Sequence, residues 1–379
     1  MGAGVRVVKQ KDGGIVRRVM LVDDAGEVVG APTRFLDHLM DAGYSPHTVC
    51  AYGYDLRYLL VFLAGEALDW REFQPATALR FLGFLRRLPS RRPAQRLGMA
   101  VATAQGRLLA PATVQRVLAA TSSFYEWAIA AGEYTQRDNP MQRRADPALA
   151  RVSERHQPFV GQASRQQPVR RTVRVRLPMR LPRPLTAAEV DALLASLTTL
   201  RDLAIVVLML DGGLRPGEVL GLHLDDISYG RRRVTVRKRD DHPHGVRAKS
   251  RRERVVDLHQ PRTLDAVSRY VLHERPLEAT SPFVFLVGGH HARRCDPLSY
   301  QAVVRGFARR MERLGIRTAD TTPHALRHTH ATAMWEAGMR ELALQQRLGH
   351  ASPESTRSYT RVSDEAVLTE YTHALRGRR

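Results

Sequence analysis

Between Thr322 and Arg361 the chain reads TPHALRHTHATAMWEAGMRELALQQRLGHASPESTRSYTR and carries four side chains suited to holding and attacking a phosphate: His324, Arg327, His350 and Tyr359. A phenol, with a pKa near ~10, is a weak nucleophile. It attacks a phosphodiester only if the phosphate charge is neutralised and its own proton is removed as the new bond forms. A guanidinium such as that of Arg327 neutralises by donating two hydrogen bonds in a fork to the non-bridging oxygens. Imidazoles at His324 and His350 can hydrogen-bond the same phosphate or take the phenolic proton. The elements that must place these groups follow from local signals. Thr322 with Pro323 reads as an N-cap and first helical position, which puts His324 and Arg327, three apart, on one face of the first turn, toward an end suited to anions. Apolar spacing carries that helix toward Gly338. A second short helix ends at Gly349, just before His350, and Ser352-Pro353 opens a third helix bearing Tyr359.

A second cationic group is expected upstream. The Gly212-Gly213 turn and Leu214-Arg215-Pro216 place Arg215 at a helix start, and Glu218, three residues on, can hold its guanidinium or orient a lysine. As a surface pair this would contribute only a few tenths of a kcal/mol. An acid for the leaving oxygen is suggested by composition. Of the 59 basic residues only Lys9, Lys11, Lys238 and Lys249 are lysine. A lysine retained in such a background suggests proton donation, which a guanidinium does not perform near neutrality. Lys249 is the candidate, with Lys238 its competitor if the register of the surrounding hairpin differs.

The order His-x-x-Arg, Leu-Gly-His, then a tyrosine nine residues beyond that histidine, resembles the second half of the tyrosine recombinase (phage integrase) signature. GLRPGEVLGLHLDDI, with Arg215 and Glu218, is similar to the first arginine box of that family, and AKSRRERVVDL to its lysine hairpin at Lys249. The resemblance implies a mainly α fold with a small antiparallel β-sheet: an N-terminal helical, SAM-like core-binding bundle followed by an integrase-type catalytic α+β domain. It implies a site-specific DNA recombinase that forms a 3′-phosphotyrosyl intermediate at Tyr359 and moves a mobile element by integration, excision or transposition. Arg215, Lys249, His324, Arg327, His350 and Tyr359 would be catalytic and Glu218 supporting. No cofactor is implied. The expected partners are double-stranded DNA, a homo-tetramer on two DNA sites and an accessory recombinase. Pro216-Gly217 departs from the commoner Ile-Ser after the first arginine. Two other functions use parts of the same set: a type IB topoisomerase-like nicking-closing enzyme, and a catalytically inactive DNA-binding regulator, which would have no need of Tyr359.

Composition agrees with a polyanionic partner. Lys plus Arg number 59 against 38 acids, a formal net charge of +21 over 379 residues, enough chain for two domains with their own cores. Only Cys50 and Cys295 occur, too few for a disulfide framework, and no long apolar run suggests a membrane span. A cytoplasmic, nucleoid-associated protein is the expectation. His290-His291 with Cys295, and His324 with His328, invite a metal reading; neither has a carboxylate at zincin spacing, so no metal is expected.

In chain order, residues 1–32 alternate weakly as two strands turning at Asp12-Gly13-Gly14 and are read as an arm. Residues 33–145 have helical periodicity, with starts at Ser45-Pro46 and Ala110-Pro111, stops at Gly43, Gly65 and Gly132, and an arginine-bearing insertion from Pro89 to Leu109. Ser45-Pro46-His47-Thr48 is similar to the opening phrase of the core-binding domain. Residues 146–183 form a linker, with nine arginines between Arg151 and Arg183 against the single acid Glu154. Such a run is either a solvated tether or a track for phosphates; the second reading is taken here. Residues 184–379 form the catalytic domain, opening at a capping box of Thr186 and Glu189. Arg170, Arg171, Arg174 and Arg176, with Thr48 and Arg251, are the candidate DNA contacts. Among other tyrosines, Tyr270 and Tyr371 read as packing residues on helical faces and Tyr300 as a helix start.

Overall fold

The computed structural model describes residues 4–12, 15–90, 108–136, 138–141, 143–145, 169–171, 173, 175, 183–246, 253–318 and 320–349. Two compact units divide the chain, Met1–Met179 and Arg180–Arg379.

In the first unit β1 (Arg6–Asp12) and β2 (Ile15–Val22) pair antiparallel. Alternation along β2 puts Val19 and Leu21 on the inner face, where both are fully buried, and leaves Arg18 outside. The segment read as an arm therefore supplies core to the helices behind it. Those helices are α1 (Gly30–Asp41), α2 (Pro46–Gly65), α3 (Pro75–Arg87) and α4 (Pro111–Ala130). Ser45 caps α2 by accepting the Thr48 N–H at 3.2 Å, with Pro46 at the first helical position. Phe35 meets Phe124 edge-on at 5.7 Å, and Phe73 stacks on Tyr125 at 5.3 Å. Buried among these apolar faces is Asp55 of α2, held by a fork from Arg116 of α4 with both bonds at 2.8 Å. Burial raises the Asp55 carboxyl, and the Arg116 fork offsets this only in part.

The ends of the insertion after α3 are closed by an antiparallel bridge between Pro89 and Leu108. Farther on, β3 (Arg143–Ala145) and β4 (Val169–Arg171) form a short ribbon whose register sets Arg143 opposite Arg171 and Arg144 opposite Arg170.

The second unit opens at α5 (Ala187–Ala195), where Thr186 Oγ1 accepts the Glu189 N–H at 3.2 Å and Glu189 Oε2 accepts the Thr186 N–H at 2.9 Å. The centre of its core is α6 (Leu200–Leu210), buried at every residue from Ala204 to Leu210. Against it pack α8 (Pro261–His273) and α10 (Pro323–Glu336). A three-stranded antiparallel sheet has the order β5 (Ile227–Ser228), β6 (Arg233–Val236), β7 (Arg254–Asp257), and β7 falls within the AKSRRERVVDL stretch. The apolar run from Phe283 to Leu286 is buried, with Tyr270 stacked on Phe285 and its hydroxyl accepting the Leu286 N–H at 3.1 Å. Tyr270 is thus a packing residue. The remaining elements are α7 (Pro216–Leu220), α9 (Tyr300–Arg313) and α11 (Glu341–Leu348), the last ending on Gly349 at φ 62°. Among the described residues no helix is long and apolar enough to cross a membrane.

Candidate active site

The site is assembled where α6 ends, α7 begins and α11 stops. The chain leaves α6 through Gly213 at φ 64°, where a Cβ would lie 2.5 Å from the His330 ring and 3.1 Å from Leu348. Only glycine meets both demands. Arg215 then takes the N-cap position of α7, with Pro216 behind it and Glu218 at the third helical position. Glu218 Oε2 accepts the Arg215 backbone N–H at 2.8 Å, while Oε1 accepts from Arg215 Nη1 at 2.8 Å. This is no surface pair: the Glu218 side chain is wholly buried.

Glu218 is shared by three guanidiniums. Arg254 of β7 grips it with a fork, Nη1 to Oε1 at 2.9 Å and Nη2 to Oε2 at 2.7 Å. Arg327 of α10 brings Nη1 to 3.7 Å from Oε2. Burial alone would raise the Glu218 pKa, but the Arg254 hydrogen bonds and the charges of Arg254, Arg215 and Arg327 outweigh it and hold the group at about 2. Glu218 is therefore a carboxylate at any physiological pH.

All three arginines also donate to the carboxyl end of α11. Arg327 Nη2 reaches the Leu348 carbonyl at 2.5 Å and Arg215 Nη1 the same oxygen at 3.3 Å. Arg215 Nη2 lies 3.4 Å from the Gly349 carbonyl, and Arg254 Nε 3.1 Å from that of Arg347. Arg327 Nη1 additionally donates to Gly213 at 2.6 Å. Spacing places Arg215 at a helix amino end, and it does hold the α7 N-cap; its guanidinium and that of Arg327 also donate to a helix carboxyl end, which spacing does not predict. The reason is electrostatic, since an amino end repels a cation whereas the last carbonyls of a helix attract one. Among the described residues the cluster comprises three guanidiniums and one carboxylate, two positive charges in excess.

A second polar set fixes the same helix from its other side. Arg347 donates from Nε to His330 Nε2 at 3.0 Å, from Nη1 to the Asp257 carbonyl at 3.2 Å and from Nη2 to the Asp211 carbonyl at 3.0 Å. His330 faces the Leu210 carbonyl through Nδ1 at 2.8 Å. Burial, then the Arg347 charge, lowers its pKa to about 4, so the ring is neutral with Nδ1 as donor and Nε2 as acceptor. His324 is half-buried near the start of α10, where Thr322 holds the N-cap position without a capping bond from its side chain. His328, one turn on, is lowered to about 4 by burial, then by His324 and Arg327.

Of the residues singled out in the sequence, Arg215, Glu218 and Arg327 are brought together. Lys249, Arg251, His350 and Tyr359 lie outside the described residues, as do Arg174, Arg176 and Tyr371. Arg170 and Arg171 fall in β4, and Thr48 in the first turn of α2 with its hydroxyl 2.8 Å from Ser45 Oγ. Lys238 is exposed between Arg237 and Arg239, both of which bond buried Asp226 and so fix the outgoing base of the lysine hairpin. Among the described residues no three His, Cys, Asp or Glu side chains are grouped as metal ligands. Sequence reasoning passed over Arg254, Arg347 and His330. For Arg254 there was a signal: it shares strand parity with buried Val256, while Val255 between them is exposed.

Comparison with known proteins decides the family. Residues 183–366 match the phage integrase family model, and residues 33–132 match the phage integrase N-terminal SAM-like domain, together well over half of the chain. The chain belongs to the phage integrase family of tyrosine recombinases. Such recombinases are DNA strand-transferring enzymes, and this chain is one of them. It is 28% identical to transposase A from transposon Tn554 of Staphylococcus aureus over 93% of this chain and 92% of that one. With the tyrosine recombinase XerD of Lacticaseibacillus casei it shares 29% identity, covering 69% and 76%. Among solved structures, the Tn1549 transposon integrase in complex with transposon right end DNA shares the fold at a TM-score of 0.61, with 17% identity over 91% of this chain and 99% of that one. XerH bound to a palindromic difH substrate does so at 0.56, with 16% identity over 86% and 79%. The catalytic family match includes His350 and Tyr359, whereas the β1–β2 hairpin precedes the N-terminal match.

Proposed function

We propose that this recombinase cuts and rejoins DNA through a covalent 3′-phosphotyrosyl intermediate on Tyr359, to move a mobile element. The observation that carries the reading is the meeting of Arg215 and Arg327, distant in sequence, in a buried cluster with, among the described residues, two surplus positive charges, at the end of α11, two residues before His350 in the sequence. Such a cluster suits a phosphodiester whose negative charge must be balanced during displacement. Tyr359 oxygen attacks phosphorus and the bond to the 5′ oxygen breaks. The phenolic proton passes to a histidine, His350 or His324, and Lys249 protonates the departing 5′ oxygen. A 5′-hydroxyl from a second strand reverses the step, so resealing needs no nucleotide. Exchange between two sites calls for four protomers on two duplexes. Alignment with the Tn554 transposase over nearly the full length of both chains supports a transposon-borne role.

The test uses a nicked duplex carrying a site selected from a random-sequence library. In excess EDTA and without nucleotide, the protein should form a denaturant-resistant DNA adduct that a protease removes, because arginines supply the charge balance. Absence of any adduct overturns the covalent reading; an adduct that needs added magnesium or zinc overturns the metal-free one.

The linker is assigned to the phosphate backbone on its composition, nine arginines from Arg151 to Arg183 against the single acid Glu154. Replacing Arg170, Arg171, Arg174 and Arg176 by alanine should weaken binding to all duplex sequences alike, by about tenfold or more. The slope of log affinity against log salt should become shallower by roughly 0.9 for each phosphate no longer neutralised. An unchanged slope would make the linker a solvated tether.

A further inference from the structure

Arg254 has no part in the chemistry assigned above, yet it joins two of the elements that form the charge cluster, α7 through Glu218 and the end of α11. Its side chain is 9% exposed, its fork closes on both oxygens of Glu218, and its Nε holds the Arg347 carbonyl. It also lies across Gly349: a Cβ there would come within 2.9 Å of Nη1 and 3.1 Å of Cζ. Through β7 it is continuous with the return strand of the hairpin that carries Lys249.

We propose that Arg254 is a positioning residue that neutralises Glu218, so that the charges of Arg215 and Arg327 remain available to the scissile phosphate. The inference rests on the recombinase reading of the site. Glu218 sits 2.8 Å from Arg215 and would, if Arg215 were its only forked partner, take up that guanidinium as a closed ion pair. Arg254 satisfies both carboxylate oxygens from the side of the sheet, and Arg215 then needs to donate only one guanidinium N–H to Glu218. The same contacts fix the end of α11 at Arg347 and Gly349.

The charge balance within the cluster provides a signature that simple loss of packing does not have. Arg254→Met removes a positive charge and leaves Glu218 to close on Arg215. Glu218→Gln in the same chain removes the competing carboxylate and restores the surplus found in the wild type. Single-turnover adduct formation on the nicked duplex should fall about a hundredfold in Arg254→Met, with duplex affinity changed less than about threefold. The double variant Glu218→Gln/Arg254→Met should recover at least tenfold of that loss, an interaction of opposite sign to two independent defects. A double variant as slow as Arg254→Met, or an Arg254→Met protein as fast as wild type, overturns the proposal. If Arg254→Met does not fold, as judged by its thermal transition, Arg254→Lys carries the test. It keeps the charge and loses the fork, so it should lose less than tenfold in rate, and a hundredfold loss overturns the charge argument. Wild-type protein run in parallel separates this question from the parent reading, because failure of the covalent reading removes the adduct from wild type as well.

Discussion

Tyr359→Phe should bind duplex DNA within about threefold of wild type and form no covalent adduct, a loss on the order of 10⁴-fold or more in strand cleavage. Phenylalanine keeps the ring and lacks only the oxygen that would bond to phosphorus, so the effect falls on the chemical step alone. The proposed cluster of Arg215, Arg254, Arg327 and Glu218 is untouched by the change, which is why phosphate binding should survive. The measurement is trapping on the nicked duplex alongside a binding titration of the same preparation. An adduct in the variant would move the nucleophile to another side chain. Tyr270 is a poor alternative, being buried in the core with its hydroxyl engaged by the Leu286 N–H.

The second large effect is expected at Glu218. Its substitution by glutamine or alanine removes the carboxylate that Arg215, Arg254 and Arg327 share in a buried site. Breaking a buried ion cluster in this way costs about 3–5 kcal/mol. The pH dependence has a defined sign. Glu218 titrates at about 2 in the folded protein against an ordinary 4.5, a depressed value, so its stabilisation is fully present above pH 4.5 and is lost as pH falls toward 2. The difference corresponds to on the order of 3 kcal/mol. Wild type should therefore lose stability steeply between pH 4.5 and 2, and Glu218→Gln should be less stable at pH 7 with a flatter slope across that window. Chemical unfolding of the two proteins from pH 7 to pH 2 makes the comparison. Equal stability at pH 7 would mean that the cluster contributes nothing to the fold.

The parts of this protein that were legible in its sequence are those settled within one turn of chain. Ser45 with Pro46, Thr186 with Glu189, Arg215 with Glu218 and the glycine after Leu348 all act over four residues or fewer, and local chemistry specifies them. What could not be read depends on pairings between distant elements. Asp55 interrupts an apolar helical face and by composition belongs in water; Arg116, on another helix, makes its burial tolerable. Arg254 looks like one more arginine in a basic strand until the sheet register turns it toward Glu218. Val19 and Leu21 alternate as in a free hairpin, and only the helices behind them make that face interior. The contacts of the two site arginines with the α11 carbonyls are of the same kind, because those carbonyls come from another element of the chain.

The occupied forks of Arg215 and Arg327 bear on how the free enzyme meets its substrate. A guanidinium already donating to the carbonyls of Leu348 and Gly349 has given up part of its hydration during folding. On the function proposed above, arrival of a phosphate would be an exchange of acceptors, carbonyl for phosphoryl oxygen, rather than extraction of two cations from bulk water. The cost of preparing the site would then lie in the folding free energy of the second unit instead of in the barrier to strand cleavage. The last turn of α11 would act as a surrogate ligand, holding the donors in place until the exchange occurs.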